Sequence, residues 1–468
     1  MCRSPKVVAV IDRAVIGRRR GSAVGRVVLA PLLVVVVSWA GGAVPAGATG
    51  RPVPSIPAGP VVAQLAWFLG AVGSAPLSTP VIDAHFDSRF LATVDPQQLN
   101  AVLDGLSASG APTLVSVAPD PFTSSLVAVA DFGGTPLEVQ MAVDGSGLIE
   151  GLELTPASTS ETWAQVDSRL ASLAPGVGLL AARLGRDGTC VPIHEVHAST
   201  PRPTASMFKL FVLGALAEQI AAGRVRWDQE LTVEPSLQSR GSIAGSLQYS
   251  PAGTRVTVRE AATKMISISD NTAADMLIHL VGRSAVEAQV RRWSAHAALD
   301  DPFLTTREVI LLHYSDFPSL ARRYLSLSPA GRQAFLTSTV DPLPLAGVVG
   351  SSQPRDIASI EWFASPDDLC RAFAGLQSLA SRPGLGPIAG VLSVNHGDSG
   401  LEAPQWQSVW FKGGSEPGVL TLGYRARTAQ GQSYVVVAMA EDPDAAIPES
   451  TTLRLAAVVN AAFGLAHR

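Results

Sequence analysis

The chain has 468 residues, of which 47% are apolar and 16% are charged, and its formal net charge at neutral pH is −4. The low charged fraction and the lack of excess positive charge argue against binding to nucleic acid or anionic membranes, and they indicate a well-filled globular protein. The length suffices for two domains with separate cores.

Residues 1–48 have the features of an export signal. Basic residues cluster at 18–20, an apolar run covers 27–40, and Ala46-Gly47-Ala48 supplies small residues for signal peptidase. We therefore expect a mature chain that begins near residue 49 and a location that is secreted or on the cell-envelope exterior. Because the signal carries six Arg, one Lys and one Asp, the mature chain has a net charge of about −10. A retained membrane anchor is the alternative, although the apolar run is short for a span.

Residues 49–157 are predicted to form a small α+β domain. Helical periodicity covers about 60–73 and 95–106, and four strand-like runs separated by Gly-Gly and Asp-Gly turns follow. This order predicts a sheet curled round a helix, as in cystatin-like or steroid-isomerase-like folds. His85 has no obvious partner, so we expect it to be structural. The strands are expected at 113–117, 125–132, 137–143 and 148–154.

Residues 158–468 are predicted to form the second domain. Ser158 and Glu161 suggest a capping box for a helix through Ala174, and two strands, a mostly helical region, two more strands and a terminal helix follow. Because the last strands can pair with the first, a helical block is inserted into one antiparallel sheet, again an α+β fold. The strands are expected at 177–184, 190–197, 420–425 and 433–440.

The histidines and cysteines of this domain do not indicate a metal site. His194 and His197 are three residues apart in a strand, so their side chains point to opposite faces and cannot bind one ion together. Export would permit a disulfide between Cys190 and Cys370, but two free buried thiols are the favoured interpretation. The sequence implies no metal and no organic cofactor.

Lysine is rare in this chain, with four among 35 basic residues: Lys6, Lys209, Lys264 and Lys412. An SxxK motif places Ser206 and Lys209 one turn apart on one face of an apolar helix. An ammonium group, unlike a guanidinium, can lose its proton on burial and then act as base for a serine nucleophile. The helix N-terminus offers N–H groups to a developing oxyanion. Lys264 is expected to be merely solvated.

A second motif, Ser269-Asp270-Asn271, follows the helical stretch that begins at Val256. The Ser269 hydroxyl can relay the proton of Lys209 to a leaving group, and the Asn271 amide can bind a substrate acyl side chain. Asp270 is expected to brace the loop rather than to react.

The third motif, Lys412-Gly413-Gly414, is predicted to lie on a strand. Its glycines allow a substrate to approach the strand edge closely. Lys412 is expected to supply a fixed positive charge beside Ser269, and the N–H of Ser415 is the candidate second oxyanion donor.

SxxK, SDN and a lysine-glycine strand, in this order, are typical of penicillin-recognising serine enzymes. Over about residues 159–468 the sequence resembles the class A β-lactamase family. With the small domain in front, it resembles the two-domain type seen in the twelfth open-reading-frame product of clavulanic acid biosynthesis clusters. The resemblance implies a nucleophile, a base and a proton relay at Ser206, Lys209 and Ser269. The residues assigned to substrate binding are Asn271, Lys412, Gly414 and Ser415.

Two departures from this family pattern affect the expected chemistry. Gly413 stands where the family usually has Thr or Ser, whose hydroxyl holds a substrate carboxylate. Glycine has no hydroxyl, so Ser415 is the candidate substitute for this role. Glu308 lies 39 residues after Ser269, near the spacing of the family's deacylating glutamate, but Thr305 before it indicates a capping box. Without that base, an acyl-enzyme formed from a β-lactam is expected to be long-lived.

The sequence therefore predicts an exported serine hydrolase that acts on an amide or ester carbonyl of a small molecule, with weak or no β-lactam turnover. The alternatives are a D-alanyl carboxypeptidase-like enzyme acting on cell-wall peptide and a penicillin-binding protein with little turnover. An insertion at about 326–360 is expected to shape or cover the pocket, and Tyr249 either lines its entrance or packs. Neither nucleic-acid binding nor stable membrane insertion after signal removal is expected.

Overall fold

The computed structural model describes residues 59–468, apart from 109, 120–123, 158–160, 186, 240–243, 396, 398–400, 402–404 and 449–450. The expected export signal and Ser158 lie outside the described residues. The chain divides into two compact units, the part up to Thr159 with Pro448–Ala457, and Ser160–Ile447 with Val458–Arg468. Both units combine helices with antiparallel strands, which confirms the α+β class. Within the described ranges, no helix has the length and hydropathy that crossing a bilayer requires.

The first unit contains a four-stranded sheet that pairs in chain order, which confirms the expected meander. Its elements are α1 (Pro60–Val72), α2 (Thr79–Asp83), α3 (Ser88–Leu91), α4 (Pro96–Ser107), β1 (Thr113–Pro119), β2 (Ser125–Asp131), β3 (Pro136–Val143) and β4 (Ile149–Pro156). Phe68 of α1, Leu103 of α4 and Val139 of β3 belong to one buried cluster. His85 stacks on Trp67, with ring centroids 3.6 Å apart. This packing partner was not apparent from the sequence.

The second unit combines a five-stranded antiparallel sheet with a large helical block. Its elements are α5 (Trp163–Ala171), β5 (Gly176–Leu184), β6 (Cys190–Val196), β7 (Arg202–Pro203), α6 (Lys209–Ala221), β8 (Glu230–Thr232), β9 (Arg255–Thr257), α7 (Val258–Ser267), α8 (Asn271–Val281), α9 (Arg283–Trp293), α10 (Thr306–Tyr314), α11 (Ser319–Leu325), α12 (Pro329–Phe335), β10 (Phe363–Ala364), α13 (Pro366–Ala380), α14 (Pro387–Leu392), β11 (Trp406–Glu416), β12 (Val419–Thr428) and β13 (Ser433–Glu441). The last helix of the chain, α15 (Thr451–Ala466), is divided between the two units, with residues 451–457 counted in the first and 458–466 in the second.

The sheet order β11-β12-β13-β5-β6 shows that strands from both ends of this region form one sheet. Val437 of β13 lies opposite Leu180 of β5, which confirms the expected pairing of late and early strands. α6 is buried on all sides from Leu210 to Ala217, as expected for a helix that is apolar all round. The start of α5 differs from the prediction, because its capping box joins Thr162 to Gln165.

The predicted insertion ends against the segment that precedes Ser206. The two-residue strand β10 pairs with β7, so Phe363 lies opposite Pro203. Ile357 forms a small buried cluster with Ala205 and Val419. The insertion thus supports the start of the SxxK turn from one side.

Cys190 and Cys370 form a disulfide, so the expectation of two free thiols was wrong. β6 and α13 lie side by side in the folded unit, although the two cysteines are 180 residues apart in the chain. Sequence separation gives no measure of such proximity, which depends on how the helical block folds back onto the sheet.

Reduction of this disulfide is expected to lower the free energy of unfolding by about 2–4 kcal/mol, because the bond closes a long loop and restricts the unfolded chain. Urea unfolding with and without dithiothreitol measures the effect. A Cys190→Ser, Cys370→Ser double variant is the control, since its lower stability should not respond to reductant. Equal unfolding midpoints for oxidised and reduced protein would contradict the prediction.

Candidate active site

Ser206 lies in a 3₁₀ turn, Ala205–Phe208, that leads directly into α6 at Lys209. The preceding residue, Ala205, has φ of +43°, a left-handed conformation that costs a residue with a side chain about 1–2 kcal/mol. The N–H of Thr204 donates to the carbonyl of Trp362 across 2.8 Å. Neighbouring segments therefore maintain a bend that the local sequence alone would not favour.

The Lys209 amine connects the first two motifs. Its side chain is completely buried. Nζ lies 3.0 Å from Ser206 Oγ and 3.1 Å from Ser269 Oγ. It also donates to the carbonyl of Ser269 and to Asn271 Oδ1, each across 2.6 Å. Four oxygen atoms, from the turn that carries Ser206, from Ser269 and from the start of α8, thus surround this amine and hold it in one position.

Burial lowers the pKa of Lys209 to about 7, because removing an ammonium group from water disfavours its charged form. The nearby carboxyl groups of Asp270, Asp275 and Glu361 act in the opposite direction. A large fraction of the amine is therefore neutral at neutral pH. A neutral amine within hydrogen-bonding distance of a serine hydroxyl can accept its proton.

The second motif is held in place by its aspartate. Ser269 has φ of +57°, and Asp270 caps α8 by accepting the N–H of Ala273. The other carboxylate oxygen accepts the N–H groups of Ser246 and Leu247, across 2.7 and 2.8 Å. The expected bracing role of Asp270 is confirmed.

The third motif meets the other two at the Ser269 hydroxyl. Lys412 on β11 is buried, and its Nζ lies 3.1 Å from Ser269 Oγ and 2.5 Å from the carbonyl of Gly413. Burial, together with the positive charge of Lys209, holds the pKa of Lys412 well below its ordinary value. The expected positive charge at Lys412 stays a prediction, and burial and the charge of Lys209 both oppose it.

Gly414 brings β11 into direct contact with the turn Ala205–Phe208, which carries the candidate nucleophile Ser206 and is named the nucleophile turn here. A Cβ atom at this position would lie 2.4 Å from the carbonyl oxygen of Thr204 and 2.7 Å from the backbone nitrogen of Ser206. Thr421 on β12, which sequence reasoning missed, donates its hydroxyl to the same Thr204 carbonyl across 2.9 Å. Ser415, the next residue on β11, is exposed. The strand backbone thus lies against the Ser206 N–H group.

Glu308 has a structural environment. It completes a capping box with Thr305 at the start of α10, as expected. Its carboxylate is fully buried and pairs with Arg283 across 2.6 Å. These contacts fix the Glu308 carboxylate at the N-terminus of α10.

Glu308→Gln is expected to lower the free energy of unfolding by about 3 kcal/mol, because it leaves the largely buried Arg283 guanidinium without its counter-charge. Glutamine preserves the capping hydrogen bonds. The lifetime of any acyl-enzyme should remain unchanged. Urea unfolding and time-resolved intact-mass measurements test both statements, and a much longer acyl-enzyme lifetime would instead assign Glu308 to deacylation.

Other candidate residues lie apart from this cluster or have separate partners. Tyr249 is 76% exposed, which excludes a packing role. That it lines the pocket entrance stays a prediction. His194 pairs with Asp167, while His197 Nδ1 lies 3.1 Å from the carbonyl of Val177. In the described part of the chain, no group of three His, Cys, Asp or Glu side chains is placed to hold a metal ion.

Sequence reasoning also missed two buried carboxyl groups near the nucleophile turn. Glu361 Oε2 accepts the N–H of Ala205 across 3.1 Å, and Glu416 is the last residue of β11. The available signal was an acidic residue between apolar neighbours, in Ile360-Glu361-Trp362, and a carboxylate two residues after the Lys412-Gly413-Gly414 motif. Such a signal indicates burial but does not identify the partner.

Comparison with known families assigns both parts of the chain. The model of the beta-lactamase enzyme family matches residues 169–463, more than half of the chain. A model described as ORF 12 gene product N-terminal matches residues 56–149. The beta-lactamase regulatory protein BlaB of Streptomyces cacaoi is 34% identical over 117 residues, which are 25% of this chain and 37% of that protein. This chain thus spans little more than a third of that relative's length.

Solved structures with similarity to the chain include β-lactamases and a protein named PBP-A. The β-lactamase of Sphaerobacter thermophilus DSM 20745 is 20% identical, with 66% of this chain and 98% of that chain covered and a TM-score of 0.46. PBP-A is 21% identical, with 66% and 98% covered and a TM-score of 0.43. A β-lactamase of Chitinophaga pinensis DSM 2588 is 16% identical, with 65% and 98% covered and a TM-score of 0.46.

Proposed function

The chain belongs to the beta-lactamase enzyme family, and on that premise we propose that it is an exported serine hydrolase that forms an acyl-enzyme on Ser206. One observation carries this proposal. A buried amine of lowered pKa, Lys209 Nζ, lies within 3.1 Å of two hydroxyl groups, those of Ser206 and Ser269. A nucleophile, a base and a proton relay require this arrangement.

In the proposed acylation step, Ser206 Oγ attacks an amide or ester carbonyl and passes its proton to the neutral amine of Lys209. The carbonyl oxygen takes the negative charge and is bound by the N–H groups of Ser206 and Ser415. The ammonium of Lys209 then returns a proton through Ser269 Oγ to the leaving nitrogen or oxygen. Lys412, which donates to the same hydroxyl, orients Ser269 for this transfer.

Substrate binding in this proposal involves Asn271, Gly414 and Ser415. The close approach of β11 to Ser206, which requires glycine at 414, supports a substrate strand or acyl group lying along this edge. Asn271 Oδ1 accepts from Lys209, so its amide group is held with the oxygen towards the amine. The substrate is proposed to be a small molecule, namely a β-lactam, an ester or a cell-wall peptide.

Slow deacylation is part of the proposal, because Glu308 is committed to its capping box and to Arg283. The same observation favours a second candidate function, a penicillin-binding protein that is acylated but hardly turns over. The similarity to a protein named as a β-lactamase regulator is compatible with this candidate. A D-alanyl carboxypeptidase-like activity would use the same nucleophile and water as the acyl acceptor, and it would differ in the acyl donor, a cell-wall peptide.

Export is supported by two independent features. Residues 1–48 combine basic residues, an apolar run and Ala46-Gly47-Ala48. The disulfide between Cys190 and Cys370 is typical of proteins that fold in an oxidising compartment. The proposed location is therefore the secreted fraction or the exterior of the cell envelope.

Intact-mass spectrometry after exposure to a penicillin, a cephalosporin and an activated ester tests the proposal. The expected result is one added acyl group per chain, absent from Ser206→Ala, with a β-lactam adduct that persists. Rapid loss of that adduct would indicate an efficient β-lactamase. Absence of any Ser206-dependent adduct with all three reagents would overturn the proposed function.

A further inference from the structure

A pair of buried carboxyl groups lies next to the backbone of the nucleophile turn. Glu361 is 4% exposed, and its Oε2 accepts the N–H of Ala205 across 3.1 Å and the N–H of Trp362 across 2.9 Å. Ala205 has the left-handed φ that turns the chain into Ser206. Glu361 therefore holds the residue whose strained conformation sets the direction of the nucleophile.

The second carboxyl group of the pair belongs to Glu416, one residue after Ser415. Its Oε1 is buried and has no hydrogen-bond partner among the described residues. Burial and the neighbouring Glu416 carboxyl raise the pKa of Glu361 well above its ordinary value, and burial raises the pKa of Glu416 to about 7. Ionisation of both of two adjacent buried carboxyl groups is unfavourable, so the pair titrates as a unit and retains a proton at neutral pH.

We propose that Glu361 is a positioning residue for the acylation of Ser206, and that a proton shared with Glu416 holds its carboxyl group against the Ala205 N–H. This inference rests on the proposed function, since it concerns the reactivity of Ser206. Neither residue touches the hydroxyl that reacts. Glu361 acts through Ala205, whose conformation sets where the Ser206 side chain begins.

The other charged and titratable groups around the pair come from two neighbouring segments and from α6. Tyr314 on α10 has a raised pKa, mainly through burial and then through the Glu416 charge. Arg355 from the insertion lies over the Tyr314 ring, 5.5 Å from its centroid, and donates to the carbonyl of His313. Lys209 on α6 interacts with Glu361 electrostatically. Arg355 is thus occupied by the tyrosine ring and a backbone carbonyl.

The pH dependence has a definite sign. As the pH rises above the pKa of Glu416, about 7, the pair loses its protons and two negative charges come to face each other in a buried site. Repulsion should then loosen the hold on Ala205 and slow acylation. Deprotonation of Lys209 acts in the opposite direction, so a bell-shaped profile is expected. For the same reason, the contribution of the pair to stability is present below the usual glutamate pKa and is lost towards pH 7.

The experiment compares the acylation rate constant and the apparent binding constant of the wild-type chain with those of Glu361→Ala, Glu361→Gln and Glu416→Gln, using an activated ester from pH 5 to 9. Glu361→Ala should lower the rate constant about tenfold or more and leave binding unchanged, because misplacement of a reacting group costs rate. Glu361→Gln should restore much of the rate, because its amide oxygen can still accept the Ala205 N–H. Glu234→Gln, at an exposed glutamate, is the control.

Glu416→Gln is the decisive variant, because glutamine has the shape of the protonated carboxyl and cannot acquire the second charge. It should fold normally and shift the alkaline decrease in acylation to higher pH. An unchanged profile in Glu416→Gln, or wild-type acylation by Glu361→Ala, would overturn this inference alone. Absence of Ser206-dependent acylation in the wild-type chain would overturn the proposed function, and this positioning role with it.

Discussion

Lys209→Arg is expected to lower the rate of acylation of Ser206 by about 10³-fold, within the range that a positioned general base contributes. In the structure, Nζ of Lys209 lies 3.0 Å from Ser206 Oγ, and its lowered pKa of about 7 leaves a large neutral fraction. A guanidinium keeps its proton at any pH at which the protein is folded, so it cannot accept the serine proton. The hydrogen bonds to Ser269 and Asn271 also depend on the compact shape of an amine.

The rate of adduct formation with an activated ester, measured by intact mass from pH 5 to 9, tests this prediction. In the wild-type chain the rate should rise from pH 5 towards neutral pH, because the basic form of Lys209 increases as the amine loses its proton, and this rise is the acidic limb of the bell-shaped profile described above. In Lys209→Arg it should be low throughout. Lys264→Arg is the matched control, since Lys264 donates to Ser246 Oγ instead of Ser206. Equal rates for Lys209→Arg and the wild-type chain would remove Lys209 from the mechanism.

Gly414→Ala is expected to lower the acylation rate by about 10²-fold. The added methyl group would lie 2.4 Å from the Thr204 carbonyl oxygen and 2.7 Å from the Ser206 nitrogen, and both of these atoms belong to the backbone. No flexible side chain can move aside, so β11 and the nucleophile turn must separate. A displacement of about 1 Å at a reacting group is enough for a loss of this size.

Gly413→Ala provides a matched control on the same strand. A Cβ atom there would lie 2.9 Å from Phe411 Cζ and 3.3 Å from Leu422 Cδ2, which are the ends of side chains, and 3.3 Å from one backbone oxygen. We expect a small loss of stability and acylation within a few-fold of the wild type. The comparison uses the same mass measurement with urea unfolding of both variants. A similar loss of acylation in the two variants would show that the effect is not specific to the Ser206 contact.

The overall architecture could be predicted from the sequence to a useful degree. The meander of the first unit and the late strands that pair with early ones in the second follow from alternating apolar patterns and turn residues, which are local properties. The capping box at Glu308 was recognisable for the same reason, since its hydrogen bonds join residues three positions apart. The start of α5 was missed because Ser158, Glu161 and Thr162 offer competing caps within a few residues.

The sequence by itself determined which residues can carry the chemistry. Two of the four lysines, Lys209 and Lys412, stand at motif positions in a chain rich in arginine, and the three-residue spacing of Ser206 and Lys209 places their side chains on one helix face. Tertiary structure alone decided how these groups behave. It buried both amines and so lowered the pKa of Lys209 and of Lys412, the latter further through the charge of Lys209. It also joined Cys190 to Cys370 and brought Glu361 and Glu416 to the nucleophile turn. Burial, charge repulsion and the proximity of distant segments arise only when the chain has folded, so no local pattern records them.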